Sequence, residues 1–277
     1  MLSLSRLAYD MESLISPLLA TLLLAATSYH SLFLGTVLGF SCSAVLVSVT
    51  EFPESMAPGN TKFFHRFTGG VQAFWARPEL RSLKALNLVV AATTAMVIVN
   101  TVVLVQGGHG RSQTHSALLL GAYGAGSMMV ALTVPGLLDR FPDRRVMLCG
   151  ADCLPLLLLA ASGTIHWGRG TSQWIALMAT WLLIGAAIAT ILTPSSWLLR
   201  RNSTEQNRPG IFAAQISLSH ACFLITYPLA GATGAVLGLA ETALVLVTIG
   251  LLGSVLAVFS WRSGIEPCTL DASTGIS

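Results

Sequence analysis

Charge is what this sequence has least of. Only 10% of its 277 residues are Asp, Glu, Lys or Arg, and just two of the basic ones are lysine. With 53% of residues hydrophobic and a mean hydropathy of +0.72, a soluble domain of this length is excluded. Catalytic signatures are missing as well. The chain has no H-E-x-x-H, no G-x-S-x-G, no G-x-x-x-x-G-K-[ST] loop and no obvious intramembrane aspartate pair. A multi-span membrane enzyme is therefore the weakest class; the chain is expected not to be an enzyme, and to need no cofactor and no nucleic acid. The five cysteines are an odd number, and all but Cys268 lie in or beside apolar stretches, so they read as packing residues without a disulfide framework. Cys149 and Cys153 share a helix face at i, i+4, but no third ligand is near, and no metal site is expected.

What is present is a succession of apolar stretches. About 20 apolar residues cross roughly 30 Å of hydrocarbon as a helix. Eight segments qualify: Ser13–Tyr29, Leu32–Val49, Ala85–Gln106, His115–Leu137, Val146–Ile165, Gln173–Pro194, Ile211–Ala232 and Glu241–Ser260. They must be helices, because open strands leave backbone groups unpaired in lipid. The expected fold is all-α, a polytopic membrane protein of about eight transmembrane helices. Its parts are two helices within residues 1–50, a connector at 51–84, six helices at 85–262 and a tail at 263–277. The N-terminal stretch has the look of a secretory signal, but Asp10 and Glu12 ahead of its apolar centre argue against cleavage.

The net charge of +3 gains meaning only from its placement. Thirteen of the fifteen basic residues fall on one side of the alternating spans, and only Arg111 and Arg169 on the other. That asymmetry predicts a cytoplasmic first side with both termini inside. The connector places Phe63, Phe64, Phe67, Val71, Phe74 and Trp75 near helical spacing beside Lys62, Arg66 and Arg77, which predicts a segment lying on the bilayer surface.

The run PGLLDRFPDRRVMLCG, Pro135 to Gly150, concentrates charge in a tight turn between two spans. Its Asp139 is placed to accept amide hydrogen bonds at the next helix's N-terminus, and its arginines to hold carboxylates, helix C-termini or headgroup phosphates. The same run resembles the loop signature of the major facilitator superfamily, approximately G-x-x-x-D-R-x-G-R-R. Asp139, Arg140 and Arg144 fall on its Asp, Arg and final Arg, with Arg145 following. Pro135 and Pro142 replace its glycines, and Asp143 stands where a basic residue is usual. Two spans precede the run after the connector and four follow it, as in the C-terminal six-helix half of that twelve-helix family. The segments before the connector resemble its helices five and six.

The resemblance implies a secondary transporter that moves a small solute by alternating access. It also implies that helices one to four are lacking, through truncation or through pairing with another chain, a homodimer included. A non-transporting membrane partner derived from a half transporter is the alternative. Ser16-Pro17 lacks the glycines of the antiporter signature on the fifth helix. The arginine-rich, lysine-poor composition points to a bacterial inner membrane.

Ionisable groups inside spans are costly, about 2.5–3.5 kcal/mol each, so each calls for a role. His220 falls about nine residues into its span, near the midplane, and is the candidate for carrying a proton. Asp152 lies two turns into another span, within reach of the arginine turn. Asn100, Gln215 and Tyr123 are candidates for lining a solute path; interhelical hydrogen bonding is their commoner use. GAYGAGSMM supplies a small-xxx-small pair, Ala122 and Gly126, suited to close helix packing.

Overall fold

The computed structural model describes residues 29–49, 71–72, 74–108, 110–168, 170–204 and 207–262. Among them there is no strand. Seven long helices follow one another: α1 (Tyr29–Val49), α2 (Pro78–Val102), α3 (Gln113–Leu138), α4 (Asp143–Trp167), α5 (Gly170–Arg201), α6 (Arg208–Val236) and α7 (Leu239–Arg262). Six of them, α2 to α7, are long and apolar enough to cross a membrane. The expected segment Ser13–Tyr29 lies outside the described residues except for Tyr29. The next one, Leu32–Val49, falls within α1, whose described side chains are all exposed. The expectation of eight spans is thus met by six among the described residues.

Local signals set the helix starts. Pro78 opens α2 behind an extended Arg77, because proline fits the first helical turn, where its missing N–H is not needed. The helix therefore begins seven residues before the expected boundary at Ala85, and Leu80 and Leu83 of that extra turn are fully buried. At its far end α2 passes into a π-helical turn, Val103–Gly108, which ends on Gly107 and Gly108. In the expected surface segment, Phe74 turns inward and is fully buried, whereas Trp75 is half exposed and lies 3.9 Å under the Lys84 ammonium. Phe63, Phe64 and Phe67 lie outside the described residues.

The helices pack in an open run of pairs. α3 packs on α5, α5 on α4, α4 on α7, α7 on α2 and α2 on α6. Replacing each helix by the one three places along, α2 with α5, α3 with α6 and α4 with α7, returns these five main pairs, although α2 also touches α4 with no comparable α5–α7 contact. Because successive helices alternate in direction, each helix runs opposite to its counterpart. That is the pairing two inverted sets of three helices would give. α2 is the most enclosed, with 67% of its apolar window buried, and α6 the least, with 22%.

Apolar side chains gain little from leaving lipid for protein, so the joints rely on close backbone approach and hydrogen bonds. At the α3–α5 crossing, a Cβ on Gly126 would collide with the Leu182 carbonyl oxygen, and one on Gly185 with the Tyr123 carbonyl oxygen. These reciprocal glycines let the two backbones touch. Hydroxyls bridge other joints. Ser82 donates to the Ala257 carbonyl (3.1 Å), Ser254 to Ala151 (3.0 Å), Ser162 to Ala240 (2.9 Å) and Thr226 to Ala91 (3.2 Å). The indole N–H of the fully buried Trp181 donates to Thr101 Oγ1 at 2.9 Å. Gly121, by contrast, has open space where a Cβ would go. Gly126→Val or Gly185→Val is therefore expected to lower thermal stability in detergent by about 1–3 kcal/mol or more, with Gly121→Val near wild type; equal melting curves for all three would refute the crossing.

Candidate functional site

The ends of α2, α4 and α5 meet at the arginine-rich end of the bundle. α2 begins with Glu79 in its first turn and α4 with Asp143, while α5 finishes on Arg200 and Arg201. Each charge complements the helix terminus on which it sits, acids at the positive N-termini and cations at the negative C-terminus. Arg201 spans the two acids. Its Nη2 lies 3.0 Å from Glu79 Oε1 and 3.1 Å from Oε2, and its Nη1 lies 3.1 Å from Asp143 Oδ2. One guanidinium thereby ties the starts of two helices to the end of a third.

Neighbours tighten this junction. Asn202 donates from Nδ2 to Glu79 Oε2 and to the Leu198 carbonyl, 3.0 Å for the latter. Its Oδ1 accepts from Arg77 Nη1 at 3.4 Å. The second Asp143 oxygen, Oδ1, accepts the Arg144 amide at 2.8 Å, which occupies one of the free N–H groups at the start of α4. Arg201 also lies over the Trp197 ring at 5.4 Å, and Arg144 over Trp261 at 5.9 Å. Asp143 is the most enclosed member, its side chain 11% exposed against 34% for Glu79 and 42% for Arg201. Water thus screens the Glu79 contact more than the Asp143 contact. A cleft of about 440 Å³ opens beside the junction, and a second of about 580 Å³ lies between it and the C-terminal part of α3, reaching Thr193 and Asp139.

This arrangement corrects the reading of the charged turn. Asp139 does not accept the next helix's amide; Asp143, four residues on, does so and also takes the ion pair. The reason is geometric: α4 starts at Asp143 after an extended Pro142, so Asp139 stays in the preceding turn. Asp139, Arg140 and Arg145 are exposed, and their side chains make no hydrogen bond or ion pair among the described residues. Of the four turn residues expected to act together, only Arg144 borders the junction. Glu79, Arg201, Asn202 and Arg77 were not foreseen. Glu79 behind a proline and Arg201 at a span's end were visible as helix-terminal charges, but their pairing across 122 residues was not.

The remaining candidates are dispersed. His220 sits on the exposed face of α6, where its Nδ1–H donates to the Ile216 carbonyl at 2.8 Å and its ring meets Phe223 edge-on. Asp152 is exposed on α4 and forms no ion pair with the turn's arginines. Asn100 is 2% exposed and donates to the Ala230 carbonyl at 3.4 Å, so it joins α2 to α6. Tyr123 is half-buried, and its backbone lies in the α3–α5 crossing. Gln215 is half-buried on α6, with its Oε1 enclosed and without a hydrogen-bond partner. None of these five lines either cleft. At the opposite end Arg111 lies 4.6 Å over Trp174, and His115 meets the same ring edge-on at 5.4 Å while its Nδ1 is 2.9 Å from Ser112 Oγ. Among the described residues no group of three His, Cys, Asp or Glu side chains is placed to hold a metal.

Comparison of the chain with protein-family models and with curated proteins gives no match. The geometry alone supports a functional reading. Arg201→Ala is expected to destabilise the protein by about 1–2 kcal/mol, because it strands the enclosed Asp143 carboxylate. Arg140→Ala is expected to stay within about 0.5 kcal/mol of wild type. Chemical or thermal unfolding in detergent measures both, and identical losses would contradict the bridging role.

Proposed function

We propose that this chain is a membrane transporter of the major facilitator type, in which α2 to α7 form the C-terminal six-helix half and α1 corresponds to helix six. What supports the reading is the symmetry of the five main helix pairings, the pattern two inverted three-helix sets would give. Inverted repeats give a carrier two related arrangements, open to one side or the other, and a solute path at their midplane. The charged turn adds support, since it falls between the second and third helices of the unit, where the family signature lies.

In this reading the Glu79–Arg201–Asp143 junction is a latch. It holds the arginine-rich ends of α2, α4 and α5 together in one state and parts in the other. Such a latch suits the task because a half-exposed ion pair contributes only about 1 kcal/mol, enough to bias two states without locking either. The cargo is a small solute, and His220, exposed near the middle of α6, is the group that would carry a coupled proton. In this reading the thirteen-to-two charge asymmetry argues for a cytoplasmic latch with both termini inside. Reporter fusions after Arg140 and after Arg111 are expected to give cytoplasmic and external signals respectively; the reverse pattern would overturn the orientation.

Alternating access is tested without knowing the solute. In a background with native cysteines changed to serine, Thr193→Cys reports the cleft at the latch and Gln106→Cys the opposite end. Adding Arg201→Ala is expected to raise labelling of the first by a water-soluble maleimide several-fold and to lower that of the second. Unchanged labelling at both positions would sink the transporter reading.

A further inference from the structure

The cleft beside the latch holds more cation than its carboxylates consume. Arg77, Arg144 and Arg201 border it against only two acids, Glu79 and Asp143. Arg201 engages both acids, and Asn202 takes a further bond to Glu79. What remains is a pair of guanidiniums without a counter-ion among the described residues. The side chain of Arg77 reaches only the neutral Asn202 oxygen, at 3.4 Å, and that of Arg144 only the Trp261 ring, at 5.9 Å. Each guanidinium carries five N–H donors in a planar fork, so most of their hydrogen-bonding capacity is unspent. The first turns of α2 and α4 begin at the same cleft and add partial positive charge.

The surroundings indicate what kind of anion fits. Trp261 closes one wall near the last turn of α7, the level at which tryptophan marks the boundary between headgroups and hydrocarbon. A phosphate held at that level by its own hydrocarbon matches both the free guanidiniums and the position of Trp261, and a free phosphate matches only the first. We propose that this cleft binds the phosphate of an anionic phospholipid, with Arg77 and Arg144 as its donors. The site requires only the observed cleft and a neighbouring bilayer, so it stands whether or not the chain transports a solute.

Native mass spectrometry of the purified full chain tests the site, using dioleoylphosphatidylglycerol, dioleoylphosphatidylcholine and inorganic phosphate as separate probes. The wild type is expected to retain one phosphatidylglycerol preferentially. A cation near an anionic lipid contributes on the order of 1 kcal/mol, so Arg77→Gln or Arg144→Gln should each weaken retention about fivefold, and the pair about thirtyfold. Arg200→Gln, an exposed charge outside the cleft, should change it less than twofold. Arg144 makes no ion pair among the described residues, so its single variant carries the test if the double variant cannot be purified. Equal retention of the two lipids, undiminished phosphatidylglycerol in the arginine variants, or an equal loss in Arg200→Gln would overturn the proposal. Inorganic phosphate displacing the lipid completely at equal concentration would overturn the lipid assignment in favour of a soluble phosphoryl ligand.

Discussion

The backbone's need for hydrogen bonds governs everything else in this chain. In hydrocarbon no water serves an open N–H or carbonyl, so each apolar stretch must form a helix and each helix must find neighbours through surface shape and a few polar atoms. The joints show how this works. Reciprocal glycines bring α3 and α5 to backbone contact, and serine and threonine hydroxyls donate across the bundle to main-chain carbonyls. Each such hydroxyl meets its own hydrogen-bonding demand while fastening two helices, which lets the interior carry polar groups without carrying charge.

Charge is pushed to the ends, and there it is used economically. Glu79 and Asp143 sit at helix N-termini and Arg201 at a helix C-terminus, so each is favoured by its own helix before it meets its partner. The junction they form is partly wet. A drier one would be harder to open, and a fully exposed one would hold nothing together. Its graded exposure, from Asp143 to Arg201, is the physical basis for reading it as a latch between α2, α4 and α5. The surplus guanidiniums beside it belong to the same economy: arginines beyond the number that two acids can neutralise call for an anion from elsewhere.

The least covered of the six spanning helices raises a complementary point. α6 shows most of its surface to the outside and carries His220 there, with one ring nitrogen bonded to its own helix. Asn100 and Gln215 divide the other way. The first is spent on an interhelical bond and the second has an enclosed oxygen with no partner. Residue type alone did not distinguish a fastening amide from an unsatisfied one, because the difference lies in which neighbour faces it.

Much of the fold could be read from the chain itself. Length and apolarity located the six long apolar helices α2 to α7, most of their ends fell within a few residues of the expected boundaries while the start of α2 and the end of α5 each lay seven residues further out, and the scarcity of charge identified the lipid-facing class. The site was less legible. The turn from Asp139 to Arg145 was visible as a concentration of charge, yet the acid in use proved to be Asp143, because the start of α4 decides which carboxylate sits over free amides. Glu79 and Arg201 were ordinary helix-terminal charges until packing brought them together. Apolar content and helix signals are local, acting within one or two turns, so the sequence alone determined the helices and their alternation. Which helices touch, and therefore which charges pair, depends on surface fit between segments a hundred or more residues apart, and that only the tertiary structure decided.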